Sequence, residues 1–515
     1  MVFSLQDYTA LGATALVLIV IRYVRYLRKD VNKLPLAPAS DSHWLWGHEY
    51  RIWQSQANVM YTKWAAAVGP VYRIKAALFQ SDVIVASDNA SSSHVLRHAQ
   101  KYAKAPAFLP VTIKLIGRGV VWAHGEEHKR QRRMITPAFT IAAVRGMEDA
   151  IVESTERLVN VAGGAKGETT VNIEPQVASC TLDIVGRVAF GHDFCAGESS
   201  DAQAISSAWH QDVMLGRTFT GFLAPVLIGA FPWLNHLPIP ALQQDGVAKT
   251  IALRIASDML KENRAALAAN NNARDILSIL VRDMQSRADS KEEPMEDWRL
   301  LENISTFIMV GHETTSCSVI FTLLELARNQ EIQAKLRKEL QAASDVTYNT
   351  LSKLEYLDAV TKEGLRLHPA SPRTDRIATE DDVLPQSKPI VTRLGESISS
   401  IHIKKGQIVQ IPSSVLNTNP EVWGPDAHDF KPERWIAPGA LPPADQLPQG
   451  PYANLATFID GPRVAVMEFK MIIAYLVHDI IFEATGAEVE EYISGTLQAF
   501  CDGKGANMPM KVRLA

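Results

Sequence analysis

Only four cysteines occur in 515 residues, at Cys180, Cys195, Cys317 and Cys501. No two share a C-x-x-C or other metal-ligating spacing, which excludes a disulfide scaffold and a structural zinc site and suits a reducing compartment. An excess of one charge is also lacking. With 52 Lys and Arg against 56 Asp and Glu the formal net charge is −4, which gives no support to nucleic acid as a partner. Low-complexity tracts and internal repeats are absent. A composition 47% apolar and 21% charged excludes wholesale disorder. What remains is a globular chain long enough for two or three ordinary domains or one large core.

One stretch departs from soluble behaviour. Tyr8 to Ile21 carries no charge, and Arg22, Arg25, Arg28, Lys29 and Lys33 follow it while only Asp7 precedes it. The uncharged run is short of the ~20 residues that span a bilayer, but snorkelling of Arg22 and Arg25 extends it. The positive-inside rule then places the body of the protein in the cytosol. A single-pass anchor over 1–29 is expected, with a buried core helix as the alternative. A Pro-rich hinge over 30–49 follows, built on Leu34-Pro35-Leu36-Ala37-Pro38.

Beyond residue 50, helical periodicity dominates, over 55–66, 90–102, 125–160, 172–190, 246–270, 274–287, 296–330, 331–344 and 354–367. Strand-like segments are few: Val71–Ile74, Asp82–Ala86, Ile398–Ile403 and Ile408–Ile411. The expected fold is mainly α with a small β region, in one large domain over 50–515. Phe219 to Leu242 is apolar, Pro-containing and without sustained period. It reads as a buried connection or as a channel lip dipping into a membrane.

Within 297–330 the chain reads V-G-H-E-T-T-S, with Gly311, Glu313, Thr314 and Thr315. A mid-helix glycine costs ~1 kcal/mol relative to alanine, and a threonine hydroxyl can bond a carbonyl one turn back and loosen the helix. Together they can open a groove for a small ligand beside a proton-donating pair. Glu363 and Arg366 stand three apart on one helical face, but Glu296 and Arg299, and Glu325 and Arg328, do the same, so the spacing alone reads as a surface ion pair. Further on come Phe430-Lys431-Pro432-Glu433-Arg434-Trp435 and Phe458-Ile459-Asp460-Gly461-Pro462-Arg463. Earlier, 124–133 (HGEEHKRQRR) starts a helix that on its own reads as a solvated basic face.

In this order and spacing, these elements resemble the cytochrome P-450 superfamily, most closely its membrane-anchored, microsomal, fungal-like members, over nearly the whole chain. The resemblance implies a cytochrome P-450 fold, a haem cofactor, NADPH electrons delivered by a cytochrome reductase, and hydroxylation of a lipophilic small molecule at the endoplasmic reticulum membrane. Glu313 and Thr314 would be the catalytic proton-relay pair, with Gly311 beside them. Glu363, Arg366 and Arg434 would form a structural clamp. His128, in place of the family's tryptophan, would hold haem propionates with Arg132 and Arg376. Phe458, Gly461 and Arg463 would belong to the haem loop. Val310 departs from the Ala or Gly expected ahead of Gly311, which would narrow the site.

The haem loop also departs from the pattern. After G-P-R the family continues R-x-C-x-G-x-x-F-A-x-x-E-x-K, whose cysteine is the axial iron ligand. Here Ala465, Glu468 and Lys470 fit the far end, but about six residues are missing and no cysteine lies between Phe458 and Lys470. An in-frame gap accounts for both flanks. Two functional expectations follow: a monooxygenase that has lost six residues from its haem loop, or an inactive membrane-anchored pseudoenzyme that binds a hydrophobic ligand or a partner. The helix after Arg463 should begin almost at once.

Overall fold

Helices form the bulk of the chain because apolar residues recur at three- and four-residue intervals and bury one face each. The computed structural model describes residues 30–163, 167–237, 245–268, 275–288 and 296–515; the expected anchor over 1–29 lies outside them. In chain order, the helices that shape the interior are α1 (Phe108–Leu115), α2 (Gly125–Ile135), α3 (Glu148–Gly163), α4 (Ile173–Phe190), α5 (Ser200–Gly216), α6 (Phe219–Ala230), α7 (Val247–Ala268), α8 (Asp297–Arg328), α9 (Glu355–Leu367) and α10 (Arg463–Asp479).

The centre is α8. Ile304, Ile308, Met309, Val319, Phe321, Leu323 and Leu326 are all buried, on more than one face of the helix. Such a helix belongs in a core. It is long and apolar enough to cross a bilayer, but most of its apolar stretch is covered by the protein itself. Its tightest neighbour is α4, where a Cβ on Gly311 would come within 2.6 Å of Val185 Cγ2. Gly311 therefore lets two backbones approach, and the glycine's cost as a helix former is offset by packing.

Among the described residues, thirteen strands make four small sheets. The largest has the order β1 (Val71–Ile74), β2 (Val83–Ala86), β8 (Ile408–Ile411), β5 (Thr374–Ala378) and β3 (Tyr102–Lys104), with β2 and β8 parallel and the other pairs antiparallel. β6 (Asp382–Val391) and β7 (Ser397–Ile403) form a hairpin. β4 (Thr169–Asn172), β13 (Pro509–Leu514) and β9 (Ile480–Ala484) form a third sheet, and β10 (Val489–Ser494), β11 (Thr496–Cys501) and β12 (Lys504–Gly505) a fourth. The Pro-rich hinge docks on the body: Arg73 N–H donates to Pro35 O at 2.9 Å, Ala37 N–H to Arg73 O at 3.0 Å, and Leu34 is fully buried.

The expected helix over 125–160 is three helices, because Pro137 cannot continue the turn and Thr140 caps a new start through its Oγ1 on Ala143 N–H. Phe219 to Leu242 is helical in its first half despite Pro225, since Thr218 caps the start with a hydrogen bond from Gly221 N–H. The last third of the chain holds strands that alternation did not reveal: β10 and β11 have both faces partly covered, so polar and apolar residues do not alternate.

Candidate functional site

A cavity of about 2040 Å³ opens beside α8, walled by α1, the start of α2, β5 and the turn between β10 and β11. Its walls are mainly apolar, with Phe108, Val111, Ile116, Val120 and Met309 among them. Of its many polar lining residues, two groups hold the site residues expected from the sequence.

The first group sits on α8. Glu313 and Thr314 both line the cavity. The Glu313 carboxylate is buried and accepts hydrogen bonds from Thr496 Oγ1 at 3.1 Å and Gln498 Nε2 at 2.5 Å. His312 Nε2 lies 3.8 Å from its other oxygen. Thr496 and Gln498 share one face of β11, a strand that sequence reasoning missed and so could not connect to Glu313. Glu174, at the start of α4, is pushed up to about 8 by burial and by the Glu313 charge. The Thr314 hydroxyl donates to Val310 O at 2.9 Å. Gly311 faces α4 rather than the cavity, so it shapes the helix pair and not a groove.

The second group is cationic. His128 and Arg132, one turn apart on α2, line the cavity with Arg376 on β5. Burial, Lys104 and Arg132 lower His128 below its usual range, so its ring is neutral at pH 7. Arg132 Nη2 pairs with Asp460 at 2.5 Å. Arg376 Nη1 donates to Thr374 Oγ1 at 2.5 Å and to Asp375 O at 3.0 Å. Lys104 joins them from β3, directly opposite Arg376 in the strand register. No motif carries Lys104; only the pairing of β3 with β5 brings it in.

Glu363, Arg366 and Arg434 come together away from the cavity. Glu363 Oε1 accepts from Arg366 Nη2 at 2.8 Å, Arg434 Nε at 2.8 Å and Lys431 N–H at 3.0 Å; Oε2 accepts from Arg366 Nε at 2.8 Å and Trp435 Nε1 at 2.9 Å. Both Glu363 and Arg366 are fully buried. The Arg366 guanidinium also donates to Asn417 O, Ala427 O and Asp429 O, and lies 5.0 Å from the Trp423 ring centre. Burial opposes the charge, but the two arginines hold the Glu363 carboxyl below its ordinary value. The look-alike pairs Glu296–Arg299 and Glu325–Arg328 are 3.8 and 3.5 Å apart, with Glu296 and Arg328 exposed. Spacing was common to all three; burial distinguishes one.

The segment from Phe458 to Arg463 ends one wall. Phe458 stacks edge-on against Tyr452 with ring centres 6.1 Å apart, and Ile459 and Asp460 reach the cavity. Gly461 has φ +62°, which L side chains rarely adopt, and a Cβ there would sit 3.1 Å from Arg132 Nη2, so the Arg132 side chain would also have to give way. α10 begins at Arg463 itself, as the shortened spacing required, and Arg463 is exposed and outside the cavity.

A haem has two carboxylates, a flat apolar body and an iron that needs an axial donor. The cationic group and the apolar walls suit the first two. The donor set does not suit the third. None of the four cysteines lines the cavity. Cys317 is buried, bonds Thr314 O at 3.3 Å, and is driven far up by burial and Glu313, so it stays a neutral thiol. Cys180 is driven up in the same way. The residues present therefore do not fit a thiolate-ligated haem.

The family model described as cytochrome P-450 matches residues 37–477. Among curated proteins, the cytochrome P-450 monooxygenase claQ of Ampulloclitocybe clavipes is 31% identical, with 92% of each chain covered. The monooxygenase claP of the same fungus is also 31% identical, over 96% of this chain and 97% of its own. Cytochrome P-450 monooxygenase 128 of Postia placenta is 29% identical, over 92% of this chain and 91% of its own.

Proposed function

This chain belongs to the cytochrome P-450 family, and from that premise we propose that its gene encodes a haem monooxygenase acting on a lipophilic small molecule, here lacking the turn that would carry the axial thiolate. The observation that carries the proposal is selective loss. Glu313 and Thr314 stand on the cavity wall, and Glu363 with Arg366 and Arg434 forms a complete buried network, while the departure from the family pattern falls in the first turns of α10, between Arg463 and Glu468. A chain long freed from catalysis would be expected to have lost Glu313 and Thr314 as well, since the fold keeps the clamp in either case.

In this reading Glu313 and Thr314 serve proton delivery, with Thr496 and Gln498 holding the carboxylate in place. His128, Arg132 and Arg376 bind the carboxylate edge of the cofactor, and Phe458, Gly461 and Arg463 frame the shortened loop. Electrons come from an NADPH-dependent reductase, and residues 1–29 anchor a cytosolic body to the endoplasmic reticulum. Exposed Trp44, Phe79, Phe219 and Trp233 support contact of the body with lipid. The family membership and the relatives' names support the monooxygenase class; the substrate's apolar character is supported by the cavity walls.

A second reading is favoured by the absent donor: the chain as translated binds a lipophile without oxygen chemistry. Sequencing the transcript across the codons for Phe458 to Lys470 separates the two in the cell. In the test tube, a six-residue insertion restoring R-x-C-x-G after Gly-Pro-Arg should yield the carbon monoxide difference spectrum of thiolate-ligated haem, which the 515-residue chain should not give. A restored chain that still takes up no haem would remove the monooxygenase reading.

A further inference from the structure

The β10–β11 hairpin reaches the cavity at its turn, where Ile493, Ser494, Gly495 and Thr496 line the wall. Its second strand carries the Thr496 and Gln498 side chains that hold Glu313. The segment just after α9 fixes this hairpin in place. Leu497, between those two residues, donates its N–H to Ala370 O at 3.0 Å. Two residues before Ala370 stands His368, which is buried. Its Nδ1 lies 3.2 Å from Glu491 Oε1 on β10, and its Nε2 lies 3.5 Å from Glu325 Oε1 on α8. One imidazole thus joins three elements that are far apart in the chain.

The ring is held firmly. It stacks on Phe321 of α8 with centres 5.2 Å apart and planes at 14°, and Ser318 Oγ donates to His368 O at 2.9 Å. Two carboxylates flanking a buried ring are compensated only if the ring is a cation. Burial alone would lower the His368 pKa, but the Glu491 and Glu325 charges outweigh it and push it up to about 9. The other groups around the triad are Arg328, 3.5 Å from Glu325 and exposed, and Cys317, a neutral thiol that feels the Glu491 charge. Glu325 therefore keeps a second partner when His368 loses its proton. Among the described residues His368 is the one cation paired with Glu491, whose side chain is 29% exposed and can turn to water.

We propose that the His368 imidazolium is a pH-sensitive latch that pins the β10–β11 hairpin against α8 and the end of α9. When the ring gives up its proton to solvent, Glu491 is released and the hairpin turn draws back from the cavity, taking Thr496 and Gln498 off Glu313. His368 is thus a positioning residue, acting on Glu313 through the hairpin. The sign follows from the raised value: the latch is closed below about 9 and opens as pH rises through it. This deepens the reading of Glu313 as a proton-delivery residue and rests on it for its chemical consequence, but the hairpin itself can be followed in the chain as written.

The test is amide hydrogen exchange of the full-length chain in lipid nanodiscs from about pH 6 to 9.5, each rate divided by the intrinsic rate at that pH. Protection of residues 489–501 should hold steady in the neutral range and fall at least about tenfold through pH 9 as the ion pair is lost. Glu325→Gln removes one carboxylate and leaves Glu491 on the ring, so the same fall should come about 1–3 pH units lower. His368→Gln should give a hairpin of low protection with no step at any pH, whereas a histidine that only fills space would leave the step in place. Amides of β9 and β13, in another sheet, should stay protected in every chain and show that the variants are folded. A hairpin without a step in both the parent and Glu325→Gln, or a step that persists in His368→Gln, overturns the latch and leaves the role of Glu313 standing.

Discussion

Glu468 lies in the second turn of α10 and is fully enclosed. Its Oε2 accepts from Thr315 Oγ1 at 3.0 Å, while Oε1 has no partner among the described residues. One hydroxyl does not compensate a buried carboxylate, and burial pushes its pKa up from 4.5 to about 8. Glu468 is therefore protonated in the folded chain at pH 7 and ionised in the unfolded chain. A raised folded pKa means stability that is fully present below about 4.5, falls as pH rises through neutrality, and levels off above about 8. At pH 7 the loss is about 1.4 kcal/mol for each of some 2.5 pH units, or roughly 3 kcal/mol. Glutamine has the same shape, can accept from Thr315 and cannot ionise. Glu468→Gln should then be more stable than the parent by roughly 4 kcal/mol at pH 7.5 and by under about 1 kcal/mol at pH 4.5. Urea unfolding of both chains at the two pH values, followed by tryptophan fluorescence, reads the difference directly. A stability gap that does not change with pH, or a variant weaker than the parent at pH 7.5, would refute a protonated buried acid at this position.

Glu363→Ala removes a carboxylate that accepts five hydrogen bonds and leaves two guanidinium groups buried beside Trp435; a loss of about 3–5 kcal/mol in the same unfolding assay is expected, and a loss under about 1 kcal/mol would show that the clamp is dispensable. Gly311→Ala forces a methyl to within 2.6 Å of Val185 and should cost about 1–3 kcal/mol despite alanine's better helix propensity; pairing it with Val185→Ala should recover part of the loss, and no recovery would place the strain elsewhere.

The motifs of this protein were readable from the sequence because each is local. Gly-His-Glu-Thr-Thr lies within two turns of one helix, Glu363 and Arg366 within one, and Phe458 to Arg463 is a single loop. That no cysteine lies between Phe458 and Lys470 was likewise a matter of reading residues, and α10 begins at Arg463, where the helix was expected to begin almost at once. What spacing could not do was rank equal patterns: Glu363–Arg366 looks like Glu296–Arg299 and Glu325–Arg328 until full burial sets the first apart. Nor could it show that Gly311 serves the contact with Val185 rather than an open groove, since that depends on how α4 crosses α8. Thr496 and Gln498 reach Glu313 from some 185 residues away, and Lys104 meets Arg376 through pairing across the sheet. The sequence by itself therefore determined the family and the helical character, because these are written in residue type and short spacing. The tertiary structure decided which charges are buried and which are paired, because long-range packing sets the dielectric and the partners of each ion.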